Sequence, residues 1–481
     1  MTSCPSRRRR LLVLATCCMS LFIVSLDNTV LQIALPSLQR ELEASLSGLQ
    51  WTIDAYTLVL ASLLMLAGSM ADRFGRRRVF MMGLVAFTAG SALCSLAASL
   101  RMLVVFRMVQ AVGGSMLNPV AMSIITHTFT DRRERARAIG VWGSVVGLSM
   151  AVGPLVGGLL VEGAGWRSIF WLNVPVGLTA LLLTWALVPE SRADTARRAD
   201  PVGQILVMAL LAVLTYTIIQ APEHGWASLT TVLPACLVLA LAAAVIGYEL
   251  RREEPLIEVR FFRSPLFSGA CVNAVAAFAT LGGFLFLTTL YLQNVRSLNA
   301  LHAGLWLLPM AVMTFLCAPL SGHLVARRGP RLPMVAAGCA IAASGTLFAA
   351  FDGQTRTWTL LVGCAVFGIG FGLVNAPITN TAVSGMPLAQ AGVASSLAST
   401  CRQTGSALGV AVIGAVLASR IDPGAYADTF TAAARPAWWV IAGCGLAVLT
   451  VGWFTASGRT PPRPAPDAAA SPAPVTPLSS S

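Results

Sequence analysis

Four charged side chains stand inside long apolar runs, and theirs is the chemistry the sequence most needs to account for: Asp27, Asp54, Arg107 and Arg402. A lone charge at the centre of a bilayer costs at least ~2.5–3.5 kcal/mol, so such residues are paired, solvated or functional. A carboxylate in this setting can take up and release a proton, and an arginine beside it biases that exchange. At the helical rise of 1.5 Å per residue, Asp27 lies ~12 Å below one membrane face, with Asp54 and Arg107 ~8 Å below the same face. The three charges therefore share one level. If their runs adjoin, both carboxylates can use Arg107 as counter-ion, with Asp27 the proton carrier and Asp54 a second acid or a site for cationic substrates. Arg402 falls near mid-membrane in a later run and is followed by Gln403 and Thr404. It can pair with an acid across an interface or meet an anionic group of a substrate.

Other chemistries find little support. His127-Thr-Phe-Thr-Asp131 has an HxxxD spacing used in acyl transfer, but it enters a charged loop with no second catalytic group nearby. The four histidines are scattered at or near run ends, and the eleven cysteines lie mostly in apolar runs without CxxC spacing. They read as small buried hydrophobes, with neither a metal site nor a disulfide framework expected. All 33 basic residues are arginine, so the lysine of a phosphate-binding P-loop is absent. No catalytic residue and no cofactor is expected.

The elements that hold these residues follow from composition. The 481 residues are 56% hydrophobic and 11% charged, with mean hydropathy +0.75; a soluble chain carries about a quarter charged residues. Spanning the ~30 Å hydrocarbon layer takes about 20 apolar residues. Fourteen such runs occur, near 11–35, 49–70, 79–100, 102–127, 138–162, 167–188, 202–221, 229–248, 266–291, 303–326, 332–351, 357–380, 391–418 and 436–456. The fold class is thus an all-α polytopic membrane protein. The first run follows Arg7–Arg10 like a signal peptide, yet it is too long for one and contains Asp27, so a retained span is expected. The segment 459–481 is rich in proline, alanine and serine and is expected to be a disordered tail.

The net charge of +13 would fit a nucleic-acid partner, but no solvated domain is left to carry a basic face. Sorted by connection, 24 arginines fall on the side of the N-terminus and seven on the other, with Arg107 and Arg402 within spans. This bias places both termini in the cytoplasm.

A faint repeat divides the chain. Gly68-Ser-Met-Ala-Asp72-Arg73-Phe-Gly75-Arg76-Arg77 follows the second run, and Gly322-His-Leu-Val-Ala326-Arg327-Arg-Gly329-Pro-Arg331 follows the tenth at the same internal spacing. Two six-helix halves, 1–190 and 264–458, with an inserted pair in 191–263, would account for it, and internal repeats mark many transporters.

Several motifs carry a resemblance. Leu26-Asp27-Asn28-Thr29-Val30 precedes Ala34-Leu35-Pro36. Gly68, Asp72, Arg73, Gly75 and Arg76 lie between runs two and three, and Arg107-Met-Val-Gln110-Ala-Val-Gly113-Gly114 lies in run four. Gly147, Gly153, Pro154, Gly157 and Gly158 follow in run five, then Trp166-Arg167 with Asn173-Val174-Pro175-Val176-Gly177, and Cys401-Arg402-Gln403-Thr404-Gly405. Taken in order, these resemble the major facilitator superfamily, and within it the fourteen-helix drug:proton antiporter branch. Ala111 replaces the usual first glycine of the run-four motif, and in the internal repeat Ala326 stands where Asp72 would be.

The resemblance implies a proton-coupled antiporter that exports a small amphipathic drug or antibiotic across the cytoplasmic membrane. The alternative is a proton-coupled carrier of another solute, such as a siderophore, lipid precursor or amino acid. Expected partners are that substrate, protons and the lipid bilayer, with the chain acting as a monomer. Gly68 and Gly75 would allow a tight reversal, with Asp72 latching to Arg73 or Arg76 as a gate. The glycines of run five would give a flat packing surface, and Pro154 a kink. Gln110, Arg402 and Gln403 would line a central cavity. Aromatic and methionine residues such as Trp51, Tyr56, Trp142, Phe284, Phe286, Tyr291, Trp306 and Met310 could line an apolar pocket or face lipid.

Overall fold

The computed structural model describes residues 7–192, 200–252, 257–351, 355–384 and 391–455. The tail expected to be disordered lies outside them. Long apolar runs become helices because a bilayer leaves the backbone no other way to pair its polar groups. The first bundle comprises α1 (Arg7–Glu41), α2 (Leu46–Phe74), α3 (Arg76–Ser95), α4 (Leu100–Thr128), α5 (Arg132–Ala164), α6 (Ser168–Trp171) and α7 (Asn173–Leu187). A hairpin of α8 (Pro201–His224) and α9 (Leu229–Glu249) follows. The second bundle comprises α10 (Pro265–Leu290), α11 (Ala300–Arg328), α12 (Arg331–Ala349), α13 (Thr357–Ser384), α14 (Ala391–Ala418) and α15 (Tyr426–Thr455). Among the described residues thirteen spans are long and apolar enough to cross a membrane, with α6 and α7 forming one of them, and α5 taken across its bend makes the fourteenth.

Two of the expected runs are not plain helices. The sixth is broken between Trp171 and Asn173, and the ninth closes in a π-helical turn, Tyr291–Val295. In α5 the axis bends by 43° between Met150 and Val152. Pro154 explains the position: it has no N–H for the carbonyl of Met150, and its ring crowds that carbonyl.

The halves repeat at a constant offset of 254 positions, Leu46 to Ala300 and Gly75 to Gly329. Helices α2 and α11 each run for 29 residues. Ser45 caps α2 by accepting from Gly48 N, and Asn299 caps α11 by accepting from His302 N. Both helices end on a glycine with positive φ, Gly75 at 107° and Gly329 at 80°, where a side chain would be strained. Gly68, by contrast, lies within α2 and takes no part in the reversal. The charges do not repeat: the positions matching Asp27, Arg107 and Arg402 are Leu281, Leu361 and Leu148.

The two bundles meet most extensively at one end, although Met65 of α2 also packs on the Phe267–Leu397 cluster of the second bundle nearer the other end. At the end opposite the arginine-rich connections, one apolar cluster runs from Leu26–Ile53 of the first bundle into Phe284, Leu307, Phe367 and Trp438 of the second. Gln50 donates to Val410 O at 3.1 Å and Ala411 O at 2.9 Å. Gln293 donates to Ile33 O at 2.8 Å, and Asn299 to Glu162 Oε1 at 2.7 Å. At the arginine-rich end a separate cluster, including Val13, Phe80, Leu117 and Ile125, belongs to the first bundle alone. A Cβ on Gly140, Gly143 or Gly322 would meet nothing there within 4 Å. The gap between the bundles therefore opens toward the arginine-rich face.

The hairpin sits on one seam of this assembly. Val207 and Leu211 of α8 pack with Leu58 of α2 and Ala407 of α14. Gln204 donates its amide to Ser62 O, and Ser47 to Glu223 Oε1 at 2.6 Å. The outward side of α9 stays exposed at Leu229, Leu233 and Leu239, as expected of a helix against lipid.

Candidate functional site

Asp27 sits in the second half of α1, four residues before Leu31, where a continuous apolar face holds the helix inside the bundle. Its carboxylate is enclosed, 4% exposed. Arg107 Nη1 donates to Asp27 Oδ2. Oδ1 accepts from Gln110 Nε2 at 2.9 Å and from Asn173 Nδ2 at 2.8 Å. Arg107 Nη1 also donates to Gln110 Oε1 at 2.8 Å, and Ser91 Oγ accepts from Asn173 at 3.1 Å. Three of the four lone-pair positions of the Asp27 carboxylate are thus engaged as acceptors, both on Oδ1 and one on Oδ2.

Close helix approach builds this cage. A Cβ on Gly90 of α3 would stand 2.6 Å from Gln110 Cα, and Gly113 of α4 meets the backbone of Phe87 in the same way. These small residues bring Ser91 and Gln110 within hydrogen-bonding range. Asn173 enters because the break after Trp171 starts α7 beside α3, with Gly177 against Thr88. Arg107, wholly buried, rests its guanidinium 4.0 Å from the Tyr56 ring centroid and donates Nε–H to Thr52 O at 3.4 Å. Charge, ring face and two carbonyl-type acceptors offset part of the desolvation of the cation, whose Nη2 is buried without a hydrogen-bond partner.

Asp54 lies elsewhere. It is fully buried, and neither oxygen has a hydrogen-bond partner; the expected sharing of Arg107 does not occur. Arg107 does stand at this level of α2, but the azimuth differs from the expectation: Thr52 and Tyr56 face Arg107, and at 100° per residue Asp54 points to the opposite side of α2. That side carries Gln50, bound to α14, and Leu58, packed on α8 and α14. Asp54 therefore stands at the seam of three helices. Thr215, on the facing stretch of α8, is also buried with its hydroxyl unpartnered.

The loop after α2 is held within its own bundle. Arg76 Nη2 pairs with Asp72 Oδ1 at 3.2 Å, while Arg73 lies 5.5 Å over Phe74 instead. Glu190, which belongs to no motif in the sequence, accepts from Arg77 N at 3.2 Å and lies 3.6 Å from Arg78 Nε. Its carboxylate occupies the space a Cβ on Gly75 would need.

In α5 the small residues serve two neighbours. Gly153 and Gly157 admit Thr29 and Val30 of α1. Gly158 faces the other bundle, where a Cβ would stand 2.6 Å from Leu301 Cα, and the Pro154 carbonyl fills the Cβ position of Gly304. Gly147 has only Phe315 nearby, at 3.4 Å.

Of the expected cavity residues, Gln110 belongs to the Asp27 cage and is fully buried. Arg402 and Gln403 are half-buried on α14. Arg402 donates to Asn375 Oδ1 at 3.3 Å, Thr379 Oγ1 at 3.1 Å and Ser399 Oγ at 2.7 Å. Of the aromatic residues, Phe284 and Phe286 are core, and Trp51 lies 6.4 Å from Tyr216 on the hairpin seam. Among the described residues no group of histidine, cysteine or acidic side chains could hold a metal ion.

Comparison with known proteins gives consistent matches. The family model of the Major Facilitator Superfamily matches residues 17–410. The multidrug resistance protein Stp of Mycobacterium tuberculosis is 36% identical over 412 residues, covering 86% of this chain and 76% of that protein. The tetracenomycin C resistance and export protein of Streptomyces glaucescens is 39% identical over 407 residues, covering 83% and 74%. Among solved structures, a bacterial homologue of the human lysosomal transporter Spinster, inward-facing and occupied, superposes with a TM-score of 0.66. It shares 18% identity and covers 94% of this chain and 98% of that one; at that identity the likeness concerns the fold.

Proposed function

This chain belongs to the major facilitator superfamily, and from that premise we propose that it is a proton-coupled antiporter exporting a small amphipathic drug or antibiotic. The export reading is supported by relatives named for drug resistance and export that align along more than four-fifths of the chain. The proton-coupling reading rests on one observation, the closed cage around Asp27.

Both termini are taken to be cytoplasmic because the positive-inside bias is large. In that orientation the conformer is inward-open, and Asp27 lies nearer the sealed side. The cage is coupled to the seal through helices it shares. Asp27 is less than two turns from Ile33, whose carbonyl accepts from Gln293 of the second bundle. Arg107 leans on α2, which carries Gln50 to α14. Parting the bundles at this end would move α1 and α2 relative to α4 and α7, withdraw a donor from Asp27 and admit a proton from outside. Return to the present state would restore the donors and release it inward. Asp27 is the carrier, Arg107 its electrostatic partner, and Asp54 a second acid that opening of the α2–α14 seam would expose. Asp72 and Arg76, with the Gly75 turn, form the gate-side clamp, and the monomer suffices for the cycle.

Inverted membrane vesicles with an acid interior test this. Wild-type vesicles should accumulate an exported dye when the gradient is imposed, and Asp27→Asn should abolish the gradient-driven component. Undiminished gradient-driven uptake by Asp27→Asn would refute the assignment.

A further inference from the structure

The two arginines within the spans have different surroundings. Arg107 is sealed and paired with Asp27. Arg402 is half-buried and has no described carboxylate within 4.0 Å; its three partners are the neutral oxygens of Asn375, Thr379 and Ser399. A cation at this depth without a counter-ion needs water or an anion beside it.

Its direction is fixed by its helix. Ser395, Ser399, Arg402 and Ser406 recur at helical spacing and are all half-buried, which makes one polar stripe along α14. Gly405 and Gly409 pack on α10, and Ala407, Val410 and Ala411 meet the first bundle or the hairpin. The stripe lies between those two packed sides. Ala407, Val410 and Ala411 are more than about a fifth of a turn from Arg402, so it does not look into the seam that holds Asp54. It faces the gap between the bundles.

Beside the guanidinium stands an aromatic wall. Phe278 of α10, itself half-buried, has its centroid 6.0 Å from Arg402 Cζ. It meets Phe371 of α13 edge to face at 5.2 Å, and Phe367 continues the row parallel to Phe371. A fixed cation with unused donor capacity next to flat apolar rings matches a molecule with complementary parts.

We propose that Arg402 is the docking point for an acidic group, a carboxylate or ionised phenol, on an otherwise apolar aromatic substrate. The guanidinium receives the anion, Thr379 and Ser399 hold its orientation, and Phe278, braced from behind by the buried Phe371, supports the ring system. This deepens the export reading and rests on it for the direction of transport, but not for binding.

Two dyes on the same xanthene scaffold separate the cases: fluorescein, an anionic carboxylate and phenolate, and rhodamine 6G, a cationic ester. Binding to the purified full chain in nanodiscs is read by fluorescence anisotropy at equilibrium without a pH gradient. Wild type should bind fluorescein, Arg402→Gln should weaken it at least ten-fold while changing rhodamine 6G less than two-fold, and Arg402→Lys should retain part of the affinity. Three results would overturn the proposal: no fluorescein binding by wild type, an unchanged fluorescein Kd in Arg402→Gln, or equal weakening of both dyes. Because no gradient is used, the anion site can fail while export stands, and a failed vesicle assay leaves the binding result readable.

Discussion

Asn173 donates its side-chain amide to Asp27 Oδ1 at 2.8 Å from a helix 146 residues further along the chain. The bond ties α7 to the carboxylate on α1 and, through Ser91, to α3. It makes the cage a property of four helices rather than of one ion pair.

The first prediction concerns that bond. Asn173→Ala leaves Oδ1 with Gln110 alone and removes an interaction worth about 0.6–2 kcal/mol in a membrane interior. Gradient-driven uptake should fall several-fold, with a modest drop in the melting temperature of detergent-purified protein. Asn173→Asp sets a second carboxylate against Asp27 and should be the more damaging of the two. Equal uptake by the two variants would count against the cage.

Asp54 makes the opposite kind of prediction. A buried carboxyl with no partner opposes stability, so filling its place with an apolar side chain of similar size should help the fold. Asp54→Leu should be more stable than wild type by on the order of 1 kcal/mol or more, read as a higher melting temperature. If Asp54 carries a proton, the same variant should lose part of the gradient-driven uptake. A variant both less stable and fully active would contradict the placement at the seam.

Gly75 and Gly68 should behave differently although both belong to one motif. Gly75→Ala forces a side chain into positive φ and against Glu190, at a cost of about 1–3 kcal/mol. Gly68→Ala lies in a helix with open space around it and should be neutral or gain up to about 1 kcal/mol. Thermal unfolding of the two purified variants decides the matter.

Gly304 tests the seal. Gly304→Val cannot fit against the Pro154 backbone without parting α5 from α11. The variant should favour the conformer open at the opposite end. In a cysteine-free background, maleimide labelling of Gln293→Cys should rise several-fold when Gly304→Val is added, because position 293, which in the wild type lies against Ile33 O of the first bundle, is then uncovered. Unchanged labelling would mean that this contact does not close the molecule.

Much of this was legible in the sequence because a bilayer imposes length and polarity rules on every span. Run lengths gave the helices, and counting residues from the membrane face placed Asp27 and Arg107 at one level, where they do pair. Depth carries no information about azimuth, which is why Asp54 was expected beside Arg107 and Gln110 beside the cavity. Asn173 was visible within a motif, but its side chain reaches Asp27 only through the helix break after Trp171, and an apolar run gives no sign of such a break. Glu190 looked like one acid in a polar connection; only the chain reversal at Gly75 brings it to the backbone of Arg77.

The hairpin of α8 and α9 bears on how a fat-soluble compound reaches the gap. A two-bundle molecule has a doorway to the lipid on each flank, where the bundles adjoin. Here α8 is seated along the α2–α14 flank from Ser47 to Ser62 and roofs that doorway. Among the described residues the α5–α11 flank has no such cover, and Leu148 at mid-helix and Leu320 toward the arginine-rich end stay exposed. Among the described residues the two flanks therefore present different surfaces to the lipid, a covering hairpin on one and a bare pair of helices on the other.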